Sequence, residues 1–292
     1  MAGGSGLTRV GVVGSGIMGA GIVEVVASAG FEVILRARTE EGAAAVVAQV
    51  VSRLQRSVDK GRLEATEADA TVSRISHTSH LGELAACELV LETVIEDLEV
   101  KRRLVSELDD LLDPAAIIAT NTSTLPVVEL AVATTRTDRV CGLHFFNPAT
   151  AMPLVEIVTP VTVAESTIAL VERFAADCGK ESIRVADRAG FVVNALLFPY
   201  LNAAIALAER GVASRVDVDR AMRGGCNFPM GPFELLDLIG LDTTLRILET
   251  LHRETGDPAS LPHPELRRLV AAGHLGRKTG RGFLAYGTGT VI

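Results

Sequence analysis

The sequence predicts an α/β protein in two parts: a doubly wound, mainly parallel sheet over residues 1–187, then a second, all-helical C-terminal domain over residues 188–292. Three observations carry this. Short β-branched runs alternate with longer helical patterns from Arg9 to about Asp187, which is the mark of successive βα units. Beyond Asp187 the strand signal fades, and helix follows helix, rich in Ala, Leu and Glu and punctuated by Gly and Pro. Gly14, Gly16 and Gly19 stand in GxGxxG spacing between the first apolar run and the first helical pattern.

Element by element, strands are expected at 10–13, 32–35, 89–94, 117–120, 140–145 and 155–158. Helices are expected at 42–60 and 64–74 between the second and third of these strands. In the second part, helices are expected at 190–210, 216–224, 232–256 and 264–272, with the boundary near Asp187–Gly190. With 292 residues, 48% of them hydrophobic, the chain has enough apolar surface for two cores. A formal net charge of -8 argues against general affinity for nucleic acid or an anionic membrane, so any phosphate site must be local. No apolar run reaches about 18 residues without a charge, so no membrane span is expected. Cys87, Cys141, Cys178 and Cys226 are scattered without metal-ligand spacing and read as reduced thiols, and the Gly/Ser-rich start lacks the features of a targeting signal. A cytoplasmic location follows as the expectation.

The run "RVGVVGSGIMGAGIVEVVASAG" places the three glycines after an apolar strand and at the mouth of a helix. The first permits the tight turn, the second lets a pyrophosphate approach the backbone, and the third lets helix and strand pack closely. This is the fingerprint of a Rossmann-type dinucleotide-binding domain, with Gly14, Gly16, Ile17, Met18 and Gly19 as cofactor contacts. The second strand ends in "RART", where an NAD site usually holds the ribose with Asp or Glu. Ala37 between Arg36 and Arg38 tolerates or pairs with a 2′-phosphate instead, which favours NADP(H) over NAD(H). Two solvated loop arginines are the alternative.

Three further segments carry chemistry: "ATNTSTLPV", "GLHFFNPATAMPLVEIV" and "DRAGFVVNALLFPYL". With the glycine loop, the 228–242 segment and the "GRKTGRGF" end, they closely resemble the 3-hydroxyacyl-CoA dehydrogenase family, bacterial 3-hydroxybutyryl-CoA dehydrogenases included. The resemblance runs from Val10 to Tyr286. It implies an oxidoreductase that interconverts a 3-hydroxyacyl-CoA and the 3-oxoacyl-CoA with NAD(P). His144 takes the family's catalytic position, Glu156 that of its carboxylate partner, and Ser123 and Asn194 those of its substrate-oxygen ligands. Asn121, Glu96 and Lys101 match positions near the cofactor, although Lys101 reads equally as a solvated helix residue paired with Asp97. Lys60, in a basic stripe with Arg53, Arg56 and Arg62, is a seat for the CoA 3′-phosphate or part of a solvated helix face. A homodimer paired through the C-terminal helices is expected.

On their own terms the residues suit the role. A carboxylate beside an imidazole selects its tautomer and stabilises the imidazolium that proton abstraction forms. Short polar side chains orient an alcohol and receive the charge that develops on its oxygen. The chain departs from the family pattern at Ala37, at Thr124 where a second Ser is common, and at Ala195 where Arg is common. The same chemistry on a carrier-protein thioester or a free β-hydroxy acid is one alternative, and a non-catalytic nucleotide-binding protein that kept the fold is the other.

Overall fold

The computed structural model describes residues 4–286. The chain divides into two compact units, residues 1–187 and 188–292.

The first unit is an eight-stranded sheet clothed by helices on both faces. Its elements run β1 Arg9–Val13, α1 Ile17–Ser28, β2 Glu32–Arg36, α2 Glu40–Asp59, α3 Ala65–Ser73, β3 Ile75–Thr78, β4 Leu89–Glu92, α4 Leu98–Leu111, β5 Ile117–Thr120, α5 Val127–Ala131, β6 Val140–Phe145, β7 Leu154–Thr159, α6 Glu165–Asp177 and β8 Glu181–Ala186. In space the strand order is β3-β2-β1-β4-β5-β6-β7-β8. Every neighbouring pair is parallel except β6 with β7. The chain builds outward from β1 in one direction, then returns to β4 on its other side, so the loop after β1 lies at the topological switch point, where open α/β sheets bind ligands.

Burial explains which strands were legible. β4, β5 and β6 are buried at every position and read as largely apolar runs, as central parallel strands must. The two edge strands escaped the expected set. β3, ISHT, exposes its two middle residues, and β8, ESIRVA, buries only Val185. Half-exposed edge strands carry polar side chains in place of the run that marks a strand.

The core lies in two layers. Val10, Val12, Leu35, Leu91 and Leu143 pack beneath α1, α2 and α6 through Ile22, Val50 and Phe174. Val13, Val90, Ile118 and Val140 pack beneath α4 and α5 through Leu104, Leu108 and Leu130. The amphipathic α4 shows the principle locally, with Asp97 capping it through Val100 N–H at 3.0 Å while Leu104, Val105 and Leu108 face inward.

The second unit contains α7 Val193–Glu209, α8 Arg215–Cys226, α9 Pro232–Ile239, α10 Leu241–Thr255 and α11 Pro264–Ala271. The single helix expected at 232–256 is therefore two. Gly240 separates them at φ 99° and ψ 130°, a conformation no α-helix contains and L side chains rarely adopt. Phe198, Leu201, Ile205, Phe233, Leu248 and Phe283 form its core. Asp237 on α9 fastens the 283–286 segment, accepting from Phe283 N at 2.9 Å, Leu284 N at 2.8 Å and the Tyr286 hydroxyl at 3.1 Å. No helix of the described residues is long and apolar enough to cross a membrane.

Candidate active site

The glycine loop closes the carboxyl end of β1. At Gly14, φ is 132°, and a Cβ there would collide with the hydroxyl and carbonyl of Thr93, just past β4. Thr93 ties the turn down, its N–H and Oγ1 both donating to Val13 O at 2.8 and 3.0 Å. A side chain at Gly19 would meet the Gly14 carbonyl, whereas a Cβ at Gly16 would have nothing within 4 Å. Gly16 is the N-cap of α1, and no side chain caps that helix. Its first N–H groups are bare, beside open room and at the positive end of a 12-residue helix dipole. A donor set of this kind fits the pyrophosphate of a dinucleotide. Ile17, 77% exposed, and Met18 stand in the same first turn.

At the end of β2 the two arginines differ. Arg36 is half-buried, its Nε donating to Ser79 O at 3.3 Å, while Arg38 is exposed on the turn into α2. Ala37 between them is 3% exposed, and its N–H donates to Thr78 O at 3.0 Å. Thr39 caps α2 through Gly42 N–H at 3.1 Å. No carboxylate of the 36–39 turn is available to a ribose.

The antiparallel pairing of β6 with β7 sets His144 directly opposite Glu156. Paired residues share a face of the sheet, and His144 Nδ1 lies 2.8 Å from Glu156 Oε2. The two side chains are 5% and 0% exposed. An ionised carboxylate only accepts, so Nδ1 carries the proton and Nε2 is the basic nitrogen. The Phe146 ring packs 4.6 Å from the imidazole, centre to centre. Asn121, just after β5, accepts from Phe145 N at 2.8 Å through Oδ1 and so ties the end of β5 to the residue following His144.

Ser123 lies on the turn after Asn121, held by a carboxylate from a neighbouring loop. Glu96 Oε1 accepts from Ser123 N at 2.8 Å, Thr122 Oγ1 at 2.7 Å and Thr124 N at 3.2 Å. Thr124, the departure noted in the sequence, thus bonds back into the turn. Pro126 is the N-cap of α5, whose first N–H groups donate to Asp187 at 3.0 and 2.7 Å.

The expectation for Lys101 needs correction. It is not a solvated residue paired with Asp97, whose carboxylate caps α4. Its side chain is 1% exposed, and the ammonium donates to both Glu92 oxygens at 2.7 and 2.8 Å, with Glu96 Oε2 at 3.6 Å. Lys101 therefore acts on a cofactor only through Glu96 or through its charge. Glu92 was missed from the sequence, although a carboxylate closing the apolar run "LVLE" signals a buried partner. The basic stripe also loses a member: Arg53 donates to Glu24 at 2.6 Å and Ala20 O at 2.8 Å, leaving Arg56, Lys60 and Arg62 exposed. Asn194 belongs to the helical unit, as the second residue of α7.

Among the described residues no group of three or more His, Cys, Asp or Glu forms a metal site. Burial pushes the thiol of Cys87 up to about 11 and those of Cys141 and Cys178 up to about 12, so these three are protonated and unreactive at neutral pH.

Two family models together match nearly the whole chain. Residues 9–188 match the NAD binding domain of 3-hydroxyacyl-CoA dehydrogenase, and residues 190–286 match its C-terminal domain. A 3-hydroxybutyryl-CoA dehydrogenase of Mycobacterium tuberculosis is 45% identical over 282 residues, covering 96% of this chain and 99% of that one. The mitochondrial hydroxyacyl-coenzyme A dehydrogenase of Homo sapiens is 42% identical over 286 residues, covering 95% and 91%. The crystal structure of (S)-3-hydroxybutyryl-CoA dehydrogenase from Ralstonia eutropha superposes with a TM-score of 0.93 at 38% identity, covering 97% of this chain and 100% of that one. Identity at this level over both units, with each unit matched by its own half of one enzyme, leads to one conclusion: the chain belongs to the 3-hydroxyacyl-CoA dehydrogenase family.

Proposed function

We propose that this protein interconverts a short-chain (3S)-hydroxyacyl-CoA and the corresponding 3-oxoacyl-CoA with a nicotinamide cofactor. The observation that carries the reading is the buried His144–Glu156 pair at 2.8 Å. In the oxidative direction His144 Nε2 takes the proton of the 3-hydroxyl, and Glu156 stabilises the imidazolium while keeping Nδ1 protonated. In the reductive direction the imidazolium returns that proton. The nicotinamide, when bound, accepts or supplies the hydride of C3. The hydroxyl of Ser123 and the amide of Asn194 orient the substrate oxygen and receive its developing charge. The 14–19 loop and bare α1 terminus hold the pyrophosphate, with Ile17 and Met18 against the cofactor and Asn121 and Glu96 toward the nicotinamide.

NADP(H) is the preferred cofactor in this reading, supported by neutral, buried Ala37 and exposed Arg38. Arg38, exposed, is the stronger of the two candidates; Arg36 is half-buried and donates through Nε to Ser79 O. Lys60, exposed at the C-cap of α2, is the seat for a CoA phosphate. The helical unit exposes Leu196, Val212, Val216, Phe228 and Leu238, which supports a homodimer through this unit. A cytoplasmic location completes the proposal.

The test is turnover of acetoacetyl-CoA with NADH and NADPH, beside a panel of longer 3-oxoacyl-CoA esters, a carrier-protein thioester and free acetoacetate. Fastest kcat/KM on acetoacetyl-CoA supports the reading. Preference for the carrier-bound thioester or the free acid replaces it with the alternative.

A further inference from the structure

We propose that Glu96 is a positioning residue that fixes Ser123 for the substrate, and that the buried Lys101–Glu92 pair holds Glu96 in place. The proposal rests on the reading of Ser123 as a substrate ligand.

The turn carrying Ser123 is wound on one carboxylate oxygen. Glu96 Oε1 receives the N–H groups of Ser123 and Thr124 and the Thr122 hydroxyl, and Thr122 Oγ1 in turn accepts from Leu125 N at 3.0 Å. Charge-assisted bonds of this kind are short and roughly twice as strong as neutral ones. They hold the backbone of Ser123 while leaving its hydroxyl without a partner among the described residues, as a residue meant for a ligand requires.

Glu96 is itself 36% exposed, on a connecting loop, and packing alone would leave it mobile. Lys101 supplies the fixed point. Its ammonium stands one helical turn further on, 3.6 Å from Glu96 Oε2, and cannot move because Glu92 grips it with both oxygens. Glu92 is in turn locked by Thr120 Oγ1 at 2.7 Å and Val94 N at 2.6 Å, and its carbonyl accepts from Asn121 N at 2.8 Å. The chain of contacts thus begins in the ends of β4 and β5, passes through one buried cation, and finishes at the turn that presents Ser123. A substrate ligand displaced by about 1 Å costs on the order of 10²-fold in rate.

The experiment is a double-mutant cycle in the full-length enzyme, reading acetoacetyl-CoA reduction together with NADH and NADPH affinity by fluorescence. Ser123→Ala and Glu96→Ala are each expected to lower kcat/KM by about 10²-fold. The double variant is expected to match the slower single one within about two-fold, because both remove the same interaction. Cofactor affinity stays within about two-fold of wild type in Ser123→Ala, and turnover of the Glu96 variants is read at saturating cofactor, because Glu96 stands toward the nicotinamide. Glu96→Gln retains a neutral acceptor for Ser123 N–H and recovers about ten-fold of the loss; it also serves where Glu96→Ala does not fold. Losses that multiply in the double variant at saturating cofactor overturn the proposal. A wild-type protein inert toward acetoacetyl-CoA, or a Ser123→Ala variant as fast as wild type, removes the proposed function or the role of Ser123, and this proposal with it.

Discussion

Replacing Lys101 with Met is the sharpest test of the buried network between β4 and α4. Lys101 and Glu92 are 1% and 0% exposed, and their ion pair has two contacts of 2.7 and 2.8 Å. Methionine preserves most of the side-chain volume, so the cavity contribution is small and the electrostatic one dominates. Glu92 keeps Thr120 and Val94 as donors but loses its cation in a site closed to solvent. Breaking a buried pair from one side costs about 3–5 kcal/mol, because the remaining charge is uncompensated. At about 2–4 °C per kcal/mol for a unit of this size, the melting temperature falls by roughly 6–20 °C. The assay is thermal unfolding of the full chain followed by circular dichroism, with urea titration as a second probe. Glu92→Gln added to Lys101→Met removes the stranded charge and is expected to restore part of the loss. A Lys101→Met shift below about 2 °C, or a double variant less stable than the single one, refutes the reasoning.

His144→Gln is expected to lower kcat by about 10²–10⁴-fold while leaving cofactor affinity by fluorescence unchanged; near-normal kcat removes His144 as the base. Asp109 beside buried Arg136 provides a pH-dependent case. Burial opposes its ionised form, but hydrogen bonds from Thr135 and Arg136 win and hold its carboxyl below the usual aspartate value. With a lowered folded pKa, the stabilisation is present above the ordinary value near 4 and lost as pH falls through the folded one. Asp109→Asn should therefore cost about 3 kcal/mol at pH 7, with a gap in urea midpoint that narrows below about pH 4; a gap independent of pH counts against the pair. Ala37→Asp should move cofactor preference toward NADH, and Arg38→Ala should weaken NADPH alone by about ten-fold at most, given the exposure of Arg38. Equal effects of Arg38→Ala on both cofactors make "RART" an ordinary solvated turn.

The legible parts of the structure share a physical cause. Buried central strands announce themselves as apolar runs, and the expected strand at 117–120 coincides with β5 while that at 140–145 coincides with β6. The edge strands β3 and β8 do not, because half of each faces solvent and takes polar residues. The break at Gly240 was hidden for a related reason. The apolar periodicity of α9 continues into α10 across a residue whose φ of 99° shows only in the backbone. Lys101 was ambiguous because i,i+4 spacing offered Asp97 as a surface partner, whereas the fold turns the side chain inward to a residue nine positions back.

What the sequence by itself determined is local or periodic: the glycine turn after β1, the βα alternation, the helical second half, and the ordered motifs that contain His144, Glu156, Ser123 and Asn194. Tertiary structure decided what depends on strand pairing. The one antiparallel pair in the sheet puts His144 opposite Glu156, twelve residues away in the chain. The lateral neighbours β4 and β5 bring Glu92 to Thr120, and the loops beyond them bring Glu96 to Ser123. The same packing gave Arg53 and the Nε of Arg36 internal partners while leaving Arg38 and Lys60 exposed. A charged side chain reads alike in sequence whether buried or solvated; the cost of desolvating it, met only by a partner at hydrogen-bond distance, is set where the strands and helices meet.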